Sequence, residues 1–294
     1  MKQFFKLIYK LTPFKRFFFL IIRALFQLPE SVFKHLYFKG VISISLPAGK
    51  FKVHHHGYQI ENELFWAGIE NAWEKVSFDL WMKLSQEASV VMDIGANTGV
   101  YSLISRALNS SAKVYGFEPV TRVKEKYQGN VNLNGWQDSI MVSEVALSSA
   151  DGKAMIYDSM EEHVYSVTVS KDLSLDGVET TEVEIRTQRL DTFIETNGVD
   201  RIDLMKIDVE THEPEVLEGM GKYLERFRPS ILIEILSDEV GQKVQAMLEG
   251  KGYLYYHIDE VNEPELCSNI TKSDFFNYLV CQREVAENLG LKVS

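Results

Sequence analysis

Two stretches of this chain end apolar runs in carboxylates beside glycine, an arrangement that lets a folded protein present an acid to a ligand. In the first, "SVVMDIGANTGVYS", Asp93 closes an aliphatic run and is followed by Gly95, Ala96, Asn97 and Gly99. Glycine permits the positive backbone angles of a tight turn and lets a ligand come close to the main chain, and asparagine tolerates the left-handed region best among side chains. A dinucleotide fingerprint would space its glycines as GxGxxG and hold a pyrophosphate on the following helix. Here an acid precedes the loop. It repels phosphate and suits a ligand with an amino group or a sulfonium centre, which disfavours a nucleotide-linked dehydrogenase.

A second apolar run, "AKVYGFEP", ends in Glu118, 25 residues after Asp93. A carboxylate at the end of the second strand of such a unit can hold a ribose diol through paired hydrogen bonds. The two segments together describe a nucleoside site, with ribose on Glu118 and a charged tail over Gly95 to Gly99.

The other informative stretch is "IDLMKIDVETHEPEVLEG". A strand from Ile202 to Ile207 would bring Lys206, Asp208 and Glu210 out on one face, because alternate strand residues share a side. Pro214 suits the first turn of a helix, with Glu213 and Glu215 near its start and Gly219 at its end. Lys206 and Asp208 also suit a structural ion pair. The run "RPSILIEIL" then delivers Glu234 to the same edge. Two carboxylates on adjacent strand ends can hold a divalent cation such as Mg2+ or orient a hydroxyl nucleophile. His212 titrates near neutrality and is a candidate general base, though a histidine in such a loop also serves as a helix cap.

These residues need elements to carry them. Short buried strands alternating with helix-spaced apolar positions (Val100, Leu103, Ile104, Ala107) predict an α/β fold. The expected architecture is a Rossmann-like, seven-stranded, mostly parallel sheet with helices on both faces. The runs "GYLYYHI" and "NYLVCQRE" complete the sheet, and small strands across residues 153–188, including "HVYSVTV", form a β insertion. Residues 70–294 are expected to form this domain. Residues 1–69 read as a basic amphipathic helical extension followed by a hairpin. His54, His55 and His56 resemble a metal cluster, but adjacent strand residues point to opposite faces, so a solvated strand end is the expected reading.

At 294 residues and 45% hydrophobic content, the chain can bury one large core. A net charge of -11 argues against a nucleic-acid binder. The charge is uneven: residues 1–40 carry eight Lys/Arg against Glu30 alone, a local balance of +7. "MKQFFKLIYKLTPFKRFFFLIIRALFQL" has no apolar run long enough to span a bilayer and lacks the layout of a secretory signal. It reads as a segment lying on an anionic membrane surface, docking on a partner, or packing on the protein's own core. Cys267 and Cys281 make neither a disulfide framework nor a zinc site. The expected location is the cytoplasm, with residues 1–40 in peripheral contact with the inner face of the membrane.

Taken together, "DIGANTGVYS", "GFEP", "RLDTFI" and "IDLMKIDVETHEPEVLEG" resemble the FkbM-type branch of the class I S-adenosylmethionine-dependent methyltransferases, over roughly residues 70–282. The resemblance implies a final antiparallel strand, S-adenosylmethionine as donor, and O-methylation of sugars, polysaccharides, glycolipids or polyketide-type products. By position, Asp93, Gly95, Ala96, Asn97 and Gly99 would line the methionine part of the cofactor and Glu118 would take the ribose, with Ala146 and Asp208 completing the set. Asp208 and Glu210 would lie beside the methyl group and acceptor, with His212 and Glu234 as further proton-handling candidates. One departure stands out. The resemblance implies a glycine, usual in the family, after the "DVE" acid, where this chain has Thr211 followed by His212. A catalytically silent cofactor-binding or membrane scaffold is the alternative function.

Overall fold

The structure, a computed structural model, describes residues 15–159, 167–168 and 180–294. The first fourteen residues of the basic opening, and most of "HVYSVTV", lie outside the described residues. The described residues begin with helices α1 (Lys15–Leu25) and α2 (Glu30–Phe33). An antiparallel hairpin of β1 (Gly40–Leu46) and β2 (Gly49–His55) follows, and then helices α3 (Gln59–Trp66) and α4 (Lys75–Ser85). The hairpin is fastened to the main domain. Asn134 Oδ1 accepts the Lys52 N–H at 2.8 Å, Asn134 Nδ2 donates to Lys52 O at 2.7 Å, and Asn130 Oδ1 accepts the His54 N–H at 2.8 Å.

Alternating units then build the sheet. They run β3 (Val90–Ile94), α5 (Val100–Leu108), β4 (Lys113–Phe117), α6 (Thr121–Asn134) and β5 (Ile140–Ser143). Strands β6 (Ala146–Ser148), β7 (Gly152–Ser159), β8 (Val167–Thr168) and β9 (Thr180–Arg189) form a separate small sheet, in the order β6-β9-β7-β8 among the described residues. Next come α7 (Leu190–Asn197), β10 (Leu204–Ile207), α8 (Glu213–Met220), α9 (Lys222–Phe227), β11 (Ser230–Glu234) and α10 (Asp238–Leu248). The chain closes with β12 (Tyr253–His257), β13 (Glu265–Cys267), β14 (Asn277–Gln282) and α11 (Arg283–Asn288).

Among the described residues the main sheet runs β13-β12-β14-β11-β10-β3-β4-β5. Strands β11, β10, β3, β4 and β5 are mutually parallel, and β14 is inserted antiparallel between β11 and β12. The seven expected strands are joined by an eighth, β13, drawn from the polar loop and paired antiparallel to β12. Every residue of β3 is buried, and alternate residues feed the two faces: Val91 joins one apolar cluster with Leu103 and Ile104, Met92 the other with Met205 and Ile231. After β5 the chain returns to the opposite side of β3 to lay down β10. Strand order therefore reverses between β3 and β10, where the carboxyl ends of a parallel sheet leave a crevice for a ligand.

The histidine triplet departs from expectation. The inner face of the hairpin is packed, so His55 is only 1% exposed, its ring centroid 4.0 Å from that of Phe38. Burial lowers its pKa to about 4, and His56 is likewise lowered to about 4 by burial and then by the charge of Lys126. The strand end is therefore only partly solvated, with His55 buried between half-buried His54 and His56.

Candidate active site

The turn after β3 is held before any ligand arrives. The Gly95 and Ala96 N–H groups donate to the Phe117 carbonyl at 3.0 and 2.9 Å, so the last residue of β4 anchors the loop. Gly95 has φ of 76° and Asn97 of 50°, as their types suggested. A Cβ on Gly95 would lie 1.8 Å from the Asp208 carbonyl oxygen, so glycine also lets the β3 turn cross the end of β10. Glu118 accepts the Asn97 N–H at 3.1 Å and the Val120 N–H at 2.9 Å, which ties the second strand's acid to the glycine turn.

Asp93 lies one layer deeper, 1% exposed. Its Oδ2 accepts the Ser102 N–H at 2.9 Å and the Ser102 hydroxyl at 2.6 Å, and Ser102 Oγ in turn accepts from Tyr127. Burial raises the Asp93 pKa to about 6 against the pull of those bonds. A Cβ on Gly99 would strike the Tyr127 ring at 2.1 Å, and one on Gly116 would strike Tyr127 Oη at 2.2 Å. Gly99 thus opens α5, with φ of 84°, and makes room for Tyr127.

Strand β10 ends at Ile207, and the alternation expected through Glu210 stops there. Glu210 and Thr211 take positive φ of 55° and 78°, folding a tight loop in which Glu213 Oε1 accepts the Val209 and Thr211 N–H groups at 3.2 and 3.3 Å. Glu213 is fully buried, and burial lifts its pKa to about 7. Pro214 lies in the first turn of α8 as expected, but that helix runs past Gly219 to Met220. Gly219 instead lies against β6, where a Cβ would be 2.1 Å from the Ser148 carbonyl oxygen.

Lys206 is the cation at the centre of the acids. It is 1% exposed, with Nζ donating to Asp208 Oδ2 at 3.0 Å and lying 5.3 Å from the Tyr101 ring centroid. Burial alone would lower its pKa, yet Asp208, Glu74 and Glu234 raise it, so it stays charged. Burial and then the Asp208 charge raise Glu210 to about 7 and push Glu234 further up. The His212 imidazole shares a 3.0 Å hydrogen bond with Ser148 Oγ and lies 3.5 Å from Glu215; burial lowers its pKa, keeping it neutral. Among the described residues no group of three or more His, Cys, Asp or Glu is arranged to hold a metal ion. Lys206 already supplies positive charge beside Asp208 and within the field of Glu234, so of the two options open to these carboxylates they fit a divalent cation poorly.

A cavity of about 590 Å3 lies over the switch point, within the roughly 300–1,000 Å3 of small-molecule sites. Asp93, Gly95, Ala96, Asn97, Glu118, Ala146, Asp208, Glu210, His212 and Glu234 all line it, while Gly99 does not. Residues 93–255 match the family model of the methyltransferase FkbM domain, more than half the chain. The chain belongs to this family. It is a methyltransferase. One similar protein is the methyltransferase sdnD of Sordaria araneosa, 25% identical over 190 residues that cover 55% of this chain and 73% of that one. Another is the hexuronic acid methyltransferase AglP of Haloferax volcanii, 26% identical over 186 residues, 63% of this chain and 72% of the relative. The 2-O-methyltransferase NoeI of Sinorhizobium fredii is 26% identical over 52% of this chain and 66% of its own length. A crystal structure of methyltransferase FkbM from Methylobacillus flagellatus superposes with a TM-score of 0.45 at 14% identity, over 66% of this chain and 43% of the other.

The cavity of this FkbM methyltransferase is also lined by residues that reading the sequence missed. Tyr101 Oη donates to Glu74 Oε2 at 2.8 Å, and Asn277 Nδ2 donates to Glu74 Oε1 at 2.7 Å. Glu260 accepts the Val76 and Ser77 N–H groups at 2.8 and 3.2 Å. Glu74, Glu260 and Asn277 come from three distant segments and share the cavity with Trp73 and Phe275. No local pattern marks them. Ala154, Ile156 and Ile185 of the small sheet form an apolar wall of the same cavity, a role their strand pattern did not announce.

Proposed function

We propose that this FkbM methyltransferase uses S-adenosylmethionine to methylate a hydroxyl on a sugar, polysaccharide, glycolipid or related natural product. The reading is carried by one observation: a single cavity joins the turn Gly95–Asn97 and Glu118 to the acids Asp208, Glu210 and Glu234. Glu118 would hold the donor's ribose, and Asp93 with Gly95–Asn97 its methionine end. The carboxylate-rich lining suits a cationic donor, which when bound supplies an electrophilic methyl group on sulfonium. The 2-O activity named for one relative favours a hydroxyl acceptor, and the hexuronic acid named for another favours a sugar.

An alcohol must give up its proton near the transition state, and a base works best with a pKa near the working pH. Glu210, raised to about 7, suits that task. Glu234 is raised further and serves as a proton donor or hydrogen-bond donor, while Lys206 holds the Asp208 carboxylate in place to orient the acceptor. Positioning two bound reactants provides most of the acceleration in such a transfer. The open cavity speaks against a silent scaffold whose acceptor site is closed.

Calorimetric titration with S-adenosylmethionine and, separately, NAD tests the reading. Saturable binding of the sulfonium ligand alone is expected, and Glu118→Ala should lose most of it. Asp208→Asn should bind the donor yet lose turnover on sugar acceptors. A folded protein that does not bind S-adenosylmethionine overturns the proposal.

A further inference from the structure

Helix α1 is apolar on the side that meets the protein and also on the side that meets water. Lys15, Phe19 and Ile22, at the i, i+4, i+7 spacing of one helix face, form its inward stripe. Phe19 is 7% exposed, its ring centroid 5.9 Å from that of Phe38 and 5.3 Å from that of Trp66. The outward side carries Phe17 (61% exposed), Phe18, Leu20, Ile21 and Leu25 (69%), continued by Phe26 (61%). An outward apolar face this broad, beside a second apolar stripe packed on the protein, calls for an apolar medium on the outside as well. The protein supplies only the inner one.

The polar residues among this patch are all of one sign. Arg16 and Arg23 are exposed on α1, which contains no acid, and Lys34 and Lys39 follow in the next segment. Residues 15–40 carry five cations and a single acid, Glu30, whereas residues 41–294 sum to -18. Charges act over roughly 8 Å at physiological salt, so the cations carried on the patch itself dominate its attraction to a surface. At 11 residues α1 is too short to span a bilayer, and among the described residues no helix is long and apolar enough to cross one. An apolar face with a cationic rim fits the boundary between anionic headgroups and acyl chains.

We infer that the outward face of α1 docks this protein on an anionic lipid bilayer. The patch lies one helix away from the cavity. Helix α3 lines the cavity with Gln59, Ile60 and Glu63, while its Phe65 stacks under the Arg23 guanidinium, 5.1 Å from the ring centroid, and its Trp66 packs on Phe19. Docking therefore brings the cavity to the membrane surface, where an acceptor carried on a lipid would be presented. That last step rests on the hydroxyl-acceptor reading; the docking itself does not.

Sedimentation of the full chain with phosphatidylcholine vesicles, with and without phosphatidylglycerol, tests the docking without reading methyl transfer. Binding is expected only to the anionic vesicles, weakening as salt is raised. Removing exposed cations in Arg16→Gln with Lys34→Gln should weaken binding by roughly fivefold per charge. Phe18→Ser with Leu25→Ser should abolish it. Both variants alter exposed side chains, and unchanged thermal midpoints and donor affinity would show that they fold. Absence of binding, equal binding to neutral vesicles, or self-association abolished by the same serine substitutions would overturn the proposal.

Discussion

Thr211 takes φ of 78° beside Glu210 at 55°, so two consecutive non-glycine residues occupy the left-handed region at the edge of the cavity. A β-branched side chain is least suited to that conformation, and such residues typically cost about 1–3 kcal/mol. A glycine here would relieve the strain, while giving back about 0.5–1 kcal/mol to the entropy of the unfolded chain. Thr211→Gly is therefore expected to stabilise the protein by about 1 kcal/mol. A denaturant midpoint that does not rise would show the loop to be unstrained. Glu210 makes a kinetic prediction at the same scale. With its pKa at about 7 from burial and the nearby Asp208, its ionised fraction grows across neutrality. On an established acceptor, kcat/KM should climb about tenfold per pH unit below 7 and level off above it. Glu210→Gln should remove both the climb and most of the rate; an unaltered profile would assign the proton to another group.

At the scale of elements, β3, β10 and α5 meet through glycines that serve packing as much as any ligand. The Gly95 turn passes so close to β10 that a methyl group there would collide with the Asp208 main chain at 1.8 Å, at φ of 76°. Gly95→Ala combines a left-handed penalty of about 1–2 kcal/mol with overpacking of about 1–3 kcal/mol. A total loss near 3 kcal/mol is expected, with displacement of Asp208. Gly135, the left-handed cap of α6, has φ of 71° and open space around it. Its alanine variant should lose only about 1–2 kcal/mol, from the backbone alone. Equal losses at the two positions in urea unfolding would mean that the close crossing is not constraining. The same logic explains Gly99 and Gly116, which flank the Tyr127 ring that completes the hydrogen-bond chain through Ser102 to Asp93.

For the whole molecule, burial of so many acids gives stability an unusual dependence on pH. Asp93 is raised to about 6, Glu210 and Glu213 to about 7, and Glu74 and Glu234 also upward, in each case chiefly by burial. The unfolded chain releases these protons near pH 4 to 4.5 while the folded chain keeps them, so the acids favour folding less and less as pH rises toward their folded values. His55, His56 and His212, whose pKa values are lowered by burial, oppose this trend only below about 6.5, where the unfolded chain would protonate them. Above that pH the acids act alone. Between pH 6 and 8 the ligand-free protein should lose about 1 kcal/mol of stability for each of Glu210 and Glu213. Glu213→Gln, which keeps an acceptor for the Val209 and Thr211 N–H groups, should flatten part of that slope in denaturant melts at the two pH values. A slope unchanged by the substitution would mean that Glu213 is ionised in the fold.

Features carried by local pattern were legible before any coordinates. Buried strands show as short aliphatic runs, turns show as glycine and asparagine, and the ends of parallel strands are where Asp93, Glu118, Asp208 and Glu234 had to emerge. Those features, together with their order along the chain, are enough for the Rossmann-like sheet and for the acids and the glycine turn that line the cavity. Packing settled the remainder. Glu74 and Asn277 lie 203 residues apart and meet only because β14 is inserted beside β11, and His55 loses its water only because the hairpin folds onto an aromatic layer. Lys206 keeps its charge in the interior because folding surrounds one ammonium group with carboxylates from three separate segments. Charge, burial and distance between remote segments are properties of the folded packing, and no spacing along the chain encodes them.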